Sequence, residues 1–172
     1  MADPVRYIPP ESLPQIFTAI EEYLHQENDP VAHYANERDG CRQLESVLER
    51  IQEDYYPDFN SKATYLFLSV NRGHFFSNGN KRLAATLLKV FYTLNDYHVD
   101  PDSLPELIIR TDHHTIDLTK GDWDATFFNG DAQMIFLYAI AVTVADEQFQ
   151  NIQFDDWKLL VERLLQVVLK KT

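Results

Sequence analysis

Several residue types and patterns are scarce in this chain, and each scarcity excludes a kind of protein. The 172 residues include one cysteine, Cys41, so an internal disulfide framework is excluded and a reducing compartment is indicated. There are 5 glycines and no low-complexity run or internal repeat, and no linker indicates a second domain. No segment alternates polar and apolar residues over a long stretch, so the sequence predicts no sheet.

Positive charge is scarce as well. The chain carries 15 lysines and arginines against 27 aspartates and glutamates, and its net charge is −12. A surface of this charge repels nucleic acid and anionic membranes, so neither is an expected partner. If such a protein binds a polyanion, it must collect positive charge at one place. That requirement tests any anion site that is proposed for it.

Long apolar runs are missing too. The N-terminal segment 1–10 has no basic region followed by an apolar stretch, so it does not form a signal peptide. The two most apolar segments, 135–144 and 159–168, are too short or too interrupted to span a bilayer. Together with the single cysteine, these features lead us to expect a cytoplasmic protein.

Aromatic residues, in contrast, are plentiful. The chain has 11 Phe and 9 Tyr among 45% hydrophobic residues, which supplies enough apolar area to offset chain entropy. The length fits a single domain over 1–172. Apolar residues at helical spacing predict an all-α domain with helices over 12–25, 39–53, 61–72, 80–94, 131–147 and 154–169.

The predicted helix over 80–94 is rich in alanine and leucine, so we expect it at the centre of the domain. Segment 54–60 interrupts the periodicity with aromatic residues and forms either a loop or a short hairpin. We expect Asn60 or Ser61 to cap the helix that follows it, and Gly73 to end that helix in a left-handed conformation.

The order is less regular after residue 100. The pattern predicts a short helix over 101–110 and a loop over 111–130, held in place by aromatic side chains that include Trp123. His113 and His114 are adjacent, so their side chains point in different directions. No third ligand follows at helical spacing, and we expect no metal site there.

The chemistry of the chain is concentrated between Gly73 and Arg82. Gly79 lets the backbone approach a ligand closely, and the predicted helix start at Asn80 offers free N–H groups. Lys81 and Arg82 place two cations in the first turn, where each opposes the helix dipole at a cost of about 0.3–1 kcal/mol. An anion such as a phosphate at the helix N-terminus would offset that cost.

The rest of this loop offers a base and a metal ligand. His74 lies six residues before Asn80, and its neutral imidazole can take a proton from a hydroxyl beside the phosphate. Asn80 can cap the helix or bind phosphate. Phe76 is expected to point inward and hold the loop, while the amide oxygen of Asn78 could ligate Mg²⁺.

This stretch resembles the signature of the Fic/Doc (Fido) family, His-x-Phe-x-Asp/Glu-Gly/Ala-Asn-Gly/Lys-Arg. The matching residues are His74, Phe76, Gly79, Asn80, Lys81 and Arg82. Lysine at 81 and alanine at 85 are similar to the death-on-curing (Doc) branch, because Fic members have glycine and a second arginine there. The resemblance covers 38–99 well and 131–169 hardly at all.

The resemblance implies a compact helical bundle with a central helix after the active-site loop, and a flap at 54–60 that docks the target segment. It implies ATP or another NTP as donor, with Mg²⁺, and a hydroxyl of a target protein as acceptor. Doc-like members transfer the terminal phosphate, which we favour slightly, and Fic members transfer AMP. His74 would be the general base, and Arg82 would neutralise phosphate charge beside Gly79, Asn80 and Lys81.

Two features of the sequence bear on activity and control. Asn78 stands where the family usually has a carboxylate that ligates Mg²⁺, so a catalytically weakened nucleotide-binding or interaction module is a further alternative. Thr143 to Gln148 come near the family's inhibitory motif but end in Gln, and Ala85 removes the arginine partner. We therefore expect no built-in inhibitory glutamate. Doc-like proteins are commonly toxins, which makes an antitoxin protein a candidate partner.

Overall fold

The structure of the protein is a computed structural model that describes residues 4–27, 32–100, 108–110, 115–117 and 131–172. These residues form six α-helices and four short strands, which confirms the predicted all-α class. The helices are α1 (Leu13–Glu27), α2 (Arg38–Arg50), α3 (Phe59–Arg72), α4 (Asn80–Leu94), α5 (Ala132–Val144) and α6 (Phe154–Val168). The strands are β1 (Tyr97–Val99), β2 (Ile108–Arg110), β3 (Thr115–Asp117) and β4 (Leu169–Lys171).

Helix α4 is the centre of the bundle. It packs against α1, α3, α5 and β1, and Leu83, Leu87, Leu88 and Phe91 are fully buried in these contacts. Apolar residues on several sides of one helix require neighbours on all of those sides. The predicted central position of this helix and its predicted bounds are therefore confirmed.

Helix α3 ends at residue 72 as predicted, but it begins two residues earlier, and the residue after it has a different conformation from the one predicted. Asp58 caps it by accepting the backbone N–H of Ser61, whose hydroxyl in turn bonds the Asp58 backbone, so the helix starts at Phe59. A capping box of this kind satisfies two free N–H groups at once. Gly73 has right-handed angles, and the left-handed residue is His74, with φ 50°.

The segment after α2 is a run of turns. Among the described residues, 51–57 contain no strand, so the loop alternative is right and the flap hairpin is wrong. Lys62 is hydrogen-bonded to this segment. Its buried ammonium donates to the carbonyls of Ile51 at 2.6 Å and Glu53 at 3.1 Å. A lysine at a helix C-terminus satisfies carbonyls that the helix leaves free.

Two small antiparallel pairs correct the prediction of no sheet. Strand β1 pairs with β4, which returns the C-terminus to the end of α4, and β2 pairs with β3. The predicted helix over 101–110 is wrong at 108–110, which is strand. Strands of three residues carry too few alternations to be read from sequence. Trp123, Phe127, Phe128, His113 and His114 lie outside the described residues.

Helix α5 is tied to α4 at its first turn. The Asp131 carboxylate accepts the backbone N–H groups of Gln133 and Met134, and it pairs with the Lys89 ammonium. Burial raises the pKa of this carboxyl, but the hydrogen bonds from Lys89 and from the helix N–H groups outweigh burial and leave the pKa below its ordinary value. No helix in the described part of the chain is both long and apolar enough to cross a bilayer.

Replacing Asp131 by Asn tests this link, because asparagine keeps the helix cap and removes the charge. A lowered pKa in the folded state stabilises the protein above the unfolded value of about 3.9, and the contribution is lost as pH falls through the folded pKa. The side chains are 32% and 37% exposed, so we expect a loss of about 0.2–1 kcal/mol at pH 7. Urea unfolding at pH 7 and pH 3 measures it.

The difference between the wild type and Asp131→Asn should shrink at pH 3. Asp54→Asn, in the exposed turns after α2, is the matched control and should change stability little at either pH. An Asp131→Asn effect of equal size at both pH values would mean that the carboxylate does not stabilise the fold through its charge.

Candidate functional site

The start of α4 depends on a close contact between Gly79 and Tyr34. Gly79 is the N-cap in a left-handed conformation, with φ 78°. The buried Tyr34 hydroxyl donates to its carbonyl at 2.9 Å, and the same carbonyl accepts the first helical bond from Leu83. A Cβ on Gly79 would lie 2.3 Å from the Tyr34 hydroxyl, so both conformation and space require glycine.

The side chain of Phe76 lies inside the fold and anchors the middle of the loop. It is 3% exposed and makes edge contacts with Phe17 and Tyr34, at centroid distances of 6.0 and 5.1 Å. Aromatic pairs in this geometry contribute about 0.5–1.5 kcal/mol beyond their buried area. The residues on either side of Phe76 are thereby held at the surface.

The side chain of Asn80 stabilises the loop by bonding its backbone. Its amide oxygen accepts the backbone N–H of Phe76 at 3.1 Å, and its amide nitrogen donates to the carbonyl of Phe76 at 2.7 Å. One N–H and one lone pair remain on the amide for a ligand. Asn80 therefore positions the loop whether or not it also contacts phosphate.

Glu37 and Gly40 hold the loop from outside. The Glu37 carboxylate accepts the backbone N–H of Ser77 at 2.8 Å and its hydroxyl at 2.7 Å. Gly40 lies against the loop so closely that a Cβ there would be 2.3 Å from the Phe75 carbonyl. The sequence analysis missed Glu37 and Tyr34 as site residues. The one available signal was their position just before the segment from residue 38 that resembles the family.

These supports leave an open pocket of about 290 Å³ at the N-terminus of α4. It brings together every residue that the sequence analysis placed in the site except Phe76, which is buried beneath it. Tyr138 of α5 and Ala145, the residue that follows this helix, complete the wall, and no carboxylate is among the lining residues. The pocket is lined by Asn71, His74, Ser77, Asn78, Gly79, Asn80, Lys81, Arg82, Tyr138 and Ala145.

His74 stands between this pocket and a second one. The second cavity, of about 350 Å³, is also lined by Asn71, His74 and Ala145, and it carries Arg72 beside the carboxylates of Asp146 and Glu147. One side of His74 is thus cationic, and the other is acidic on balance, with two carboxylates against one arginine. The left-handed backbone at His74 costs about 1–3 kcal/mol, a kind of strain that concentrates at functional sites.

Asn71 lines both pockets and is hydrogen-bonded to α5. It is 2% exposed, and its amide nitrogen donates to the carbonyl of Ala141 at 3.1 Å. The Asn71 amide oxygen is buried without a hydrogen-bond partner among the described residues. An unpaired buried acceptor costs about 1–3 kcal/mol unless a donor reaches it.

Asn78 sits at the mouth of the pocket and bonds its own chain. Its amide oxygen accepts the Gly79 backbone N–H at 2.7 Å. Within the described residues, no three His, Cys, Asp or Glu side chains come close enough to hold a metal ion. A magnesium ion here would depend on neutral oxygens such as that of Asn78, on phosphate oxygens and on water.

Burial changes the acid–base behaviour of two side chains behind the loop. It raises the pKa of the Tyr34 hydroxyl strongly, although the nearby Arg82 opposes the shift. Burial also raises the pKa of the Cys41 thiol, and Glu45 and Glu37 act in the same direction. A protonated thiol is a poor nucleophile, so Cys41 is not a candidate for catalysis.

Comparison with known proteins gives one match. Residues 11–92 match the family model described as the Fic/DOC family. The match covers a little under half of the chain, from α1 into α4, includes the whole loop from His74 to Arg82, and does not distinguish the branches of the family. No curated protein and no solved structure matches the chain.

The contact between Tyr34 and Gly79 can be tested by a double-mutant cycle. Gly79→Ala should destabilise the protein by about 1–3 kcal/mol, because it combines an unfavourable φ with a clash on the Tyr34 hydroxyl. Tyr34→Phe removes the hydrogen bond to Gly79 and should cost about 1 kcal/mol. Urea unfolding of the two single variants and the double variant measures the coupling.

The double variant should lose less stability than the sum of the single variants, since phenylalanine removes the atom nearest the new Cβ. Additive losses would show that Tyr34 does not hold Gly79 through its hydroxyl. A Gly79→Ala variant as stable as wild type would contradict the requirement for glycine.

Proposed function

We propose that this protein is a nucleotide-dependent transferase of the Fic/Doc type, which moves a phosphate-containing group from ATP or another NTP to a hydroxyl of a target protein. Enzymes of this family in general transfer part of a nucleotide. The observation that carries the proposal is the pocket where His74, Lys81 and Arg82 meet at a helix N-terminus. In a chain of net charge −12, a carboxylate-free pocket with two cations suits a polyanion.

The phosphate would lie at the first turn of α4. Among the described residues no side chain caps this turn, so its N–H groups can bind an anion together with the positive end of the helix dipole. Gly79 lets phosphate oxygens approach the backbone, and Asn80 has one amide N–H left. Lys81 is exposed and Arg82 half-buried beside them, and both would neutralise charge that develops on the phosphorus oxygens.

His74 would act as the general base. It is exposed on the wall between the two pockets, so an acceptor hydroxyl can reach it from the acidic side while the nucleotide occupies the cationic side. The hydroxyl oxygen attacks phosphorus, the bond from phosphorus to the leaving oxygen breaks, and His74 takes the hydroxyl proton. The leaving group departs with its negative charge held by the cations.

Transfer of the terminal phosphate is slightly favoured over transfer of AMP. The reason is the pair Lys81 and Ala85, which is similar to the Doc branch. Position 85 of α4 is an alanine, which is fully buried, so the second arginine of the Fic branch is missing there. The alternative, AMP transfer to a protein hydroxyl, uses the same base and the same helix terminus with the nucleotide reversed.

A further alternative is a nucleotide-binding or interaction module with weak catalysis. Asn78 favours it, because an amide oxygen that bonds Gly79 attracts a divalent cation less than a carboxylate does. In either reading the protein would act in the cytoplasm, and an antitoxin protein is a natural partner for a Doc-like toxin.

The test of the proposed activity is incubation of the purified protein with a cell lysate, Mg²⁺ and ATP labelled at either the α- or the γ-phosphate. Label that reaches protein from the γ-position alone would support phosphoryl transfer, and label from the α-position would support AMP transfer. Loss of a general base lowers the rate by roughly 10²–10⁴-fold, so His74→Ala should label at background.

The control for labelling is His33→Ala, which removes a histidine outside both pockets and should leave labelling unchanged. Incorporation that persists in His74→Ala would remove His74 from the mechanism. ATP binding without incorporation from either position would favour the nucleotide-binding module.

The weakness of Asn78 as a metal ligand leads to a separate prediction. Asn78→Asp should make ATP binding depend more strongly on Mg²⁺, by a factor on the order of tenfold, because a carboxylate adds a charged ligand. Calorimetric titration with a non-hydrolysable ATP analogue, with and without Mg²⁺, measures this factor. Asn78→Ser is the uncharged control and should not gain it. An equal Mg²⁺ effect in the wild type and Asn78→Asp would show that this side chain does not face the metal.

A further inference from the structure

A groove of about 580 Å³ runs beside the candidate site, on the face formed by α2 and α3. Each helix lines it with four residues at the spacing i, i+3, i+4, i+7, which is one continuous helical stripe. Phe75 and Gly73 close one end, and Phe154 of α6 forms part of the wall. The stripes are Gln43, Ser46, Val47 and Arg50 on α2 and Tyr65, Leu68, Ser69 and Arg72 on α3.

The two helices run in opposite directions along the groove. Near the start of α2, Gly40 lies against the carbonyl of Phe75. At the end of α2, Arg50 donates to the hydroxyl of Tyr65, in the first half of α3, at 3.2 Å. The groove therefore extends from the Arg50–Tyr65 end to Gly73, the residue that precedes His74. A chain lying in the groove would reach the candidate site at one end.

The charge of the groove is opposite to that of the protein. Arg50 and Arg72 lie at its two ends, and none of the lining residues is acidic, although the chain has 27 aspartates and glutamates. Lys158 adds a third cation next to the Arg50 end. Its ammonium lies 5.4 Å from the ring centre of Tyr56, which stacks on Tyr65. A local positive field in an acidic protein attracts an acidic partner.

The middle of the groove is apolar and of limited length. Val47 and Leu68 form its floor between the two arginines. Tyr65 and Arg72 are seven residues apart on one helix, so the ends are about 10 Å apart. In an extended peptide, side chains at positions i, i+2 and i+4 lie on one face, and those at i and i+4 are about 13 Å apart, a distance that two long arginine side chains can span.

We propose that this groove binds an extended acidic segment of a partner protein, with two carboxylates four residues apart on Arg50 and Arg72 and an apolar side chain midway between them. The turns over 51–57 present no strand edge for such a segment in the described structure. This binding needs no chemistry at His74. Peptide binding in the groove and the proposed transferase activity can therefore be tested independently.

The test begins with selection from a displayed library of random 12-residue peptides on the immobilised full-length protein. Fluorescence anisotropy then gives the Kd of the selected peptides. We expect enrichment of aspartate or glutamate at positions i and i+4 around an apolar residue at i+2. The double variant Arg50→Glu/Arg72→Glu should weaken binding by at least about tenfold, and lysine-substituted peptides should recover affinity for it. That recovery also shows that the variant is folded.

The matched control is Arg42→Glu/Arg163→Glu, which changes the net charge equally at two exposed arginines outside the groove and should leave the Kd unchanged. His74→Ala should bind the peptides like wild type, even if it abolishes labelling. Three results would each overturn the proposal. They are failure to select any peptide, selection of peptides without paired acidic residues, and equal loss of binding in the groove and control variants. Preferential binding of a labelled oligonucleotide at the groove would overturn it as well.

Discussion

The hydrogen bond from the Tyr34 hydroxyl to the Gly79 carbonyl is the contact on which the candidate site depends. It joins the segment before α2 to Gly79, the left-handed N-cap of the central helix α4. Phe76 packs on the same tyrosine, and Asn80 returns to the backbone of Phe76. Because these contacts share members, the loop is held as a unit. A loop held in this way is preorganised before any ligand binds.

The C-terminal part of the chain completes the site, although neither the family match nor the signature reaches it. Asn71 joins α3 to α5 through the Ala141 carbonyl, and Lys89 joins α4 to α5 through Asp131. These bonds bring Tyr138 and Ala145 against the pocket at the start of α4 and place Asp146 and Glu147 in the cavity on the other side of His74. Although the chain is acidic, the lining of the pocket at the start of α4 contains no carboxylate.

The accuracy of the sequence predictions follows the range of the interactions involved. The bounds of α4 were predicted correctly because alanine- and leucine-rich periodicity is a strong local signal, and the residues from His74 to Arg82 are contiguous, so any fold keeps them together. The capping box of α3 was missed because Asp58 and Ser61 compete with Asn60 for the same role. The short strand pairs were missed because three residues carry no measurable alternation and their partners are distant in sequence.

By itself, the sequence determined the all-α fold class, the position of the central helix α4 and the residues of the loop from His74 to Arg82. These depend on periodicity, composition and neighbours in the sequence. The tertiary structure alone decided which residues support that loop. Tyr34, Glu37 and Gly40 reach it across about forty residues, and no local pattern records a contact between side chains so far apart. It also decided that His74 lies between a cationic and an acidic cavity, since that position depends on how α5 packs against α3 and α4.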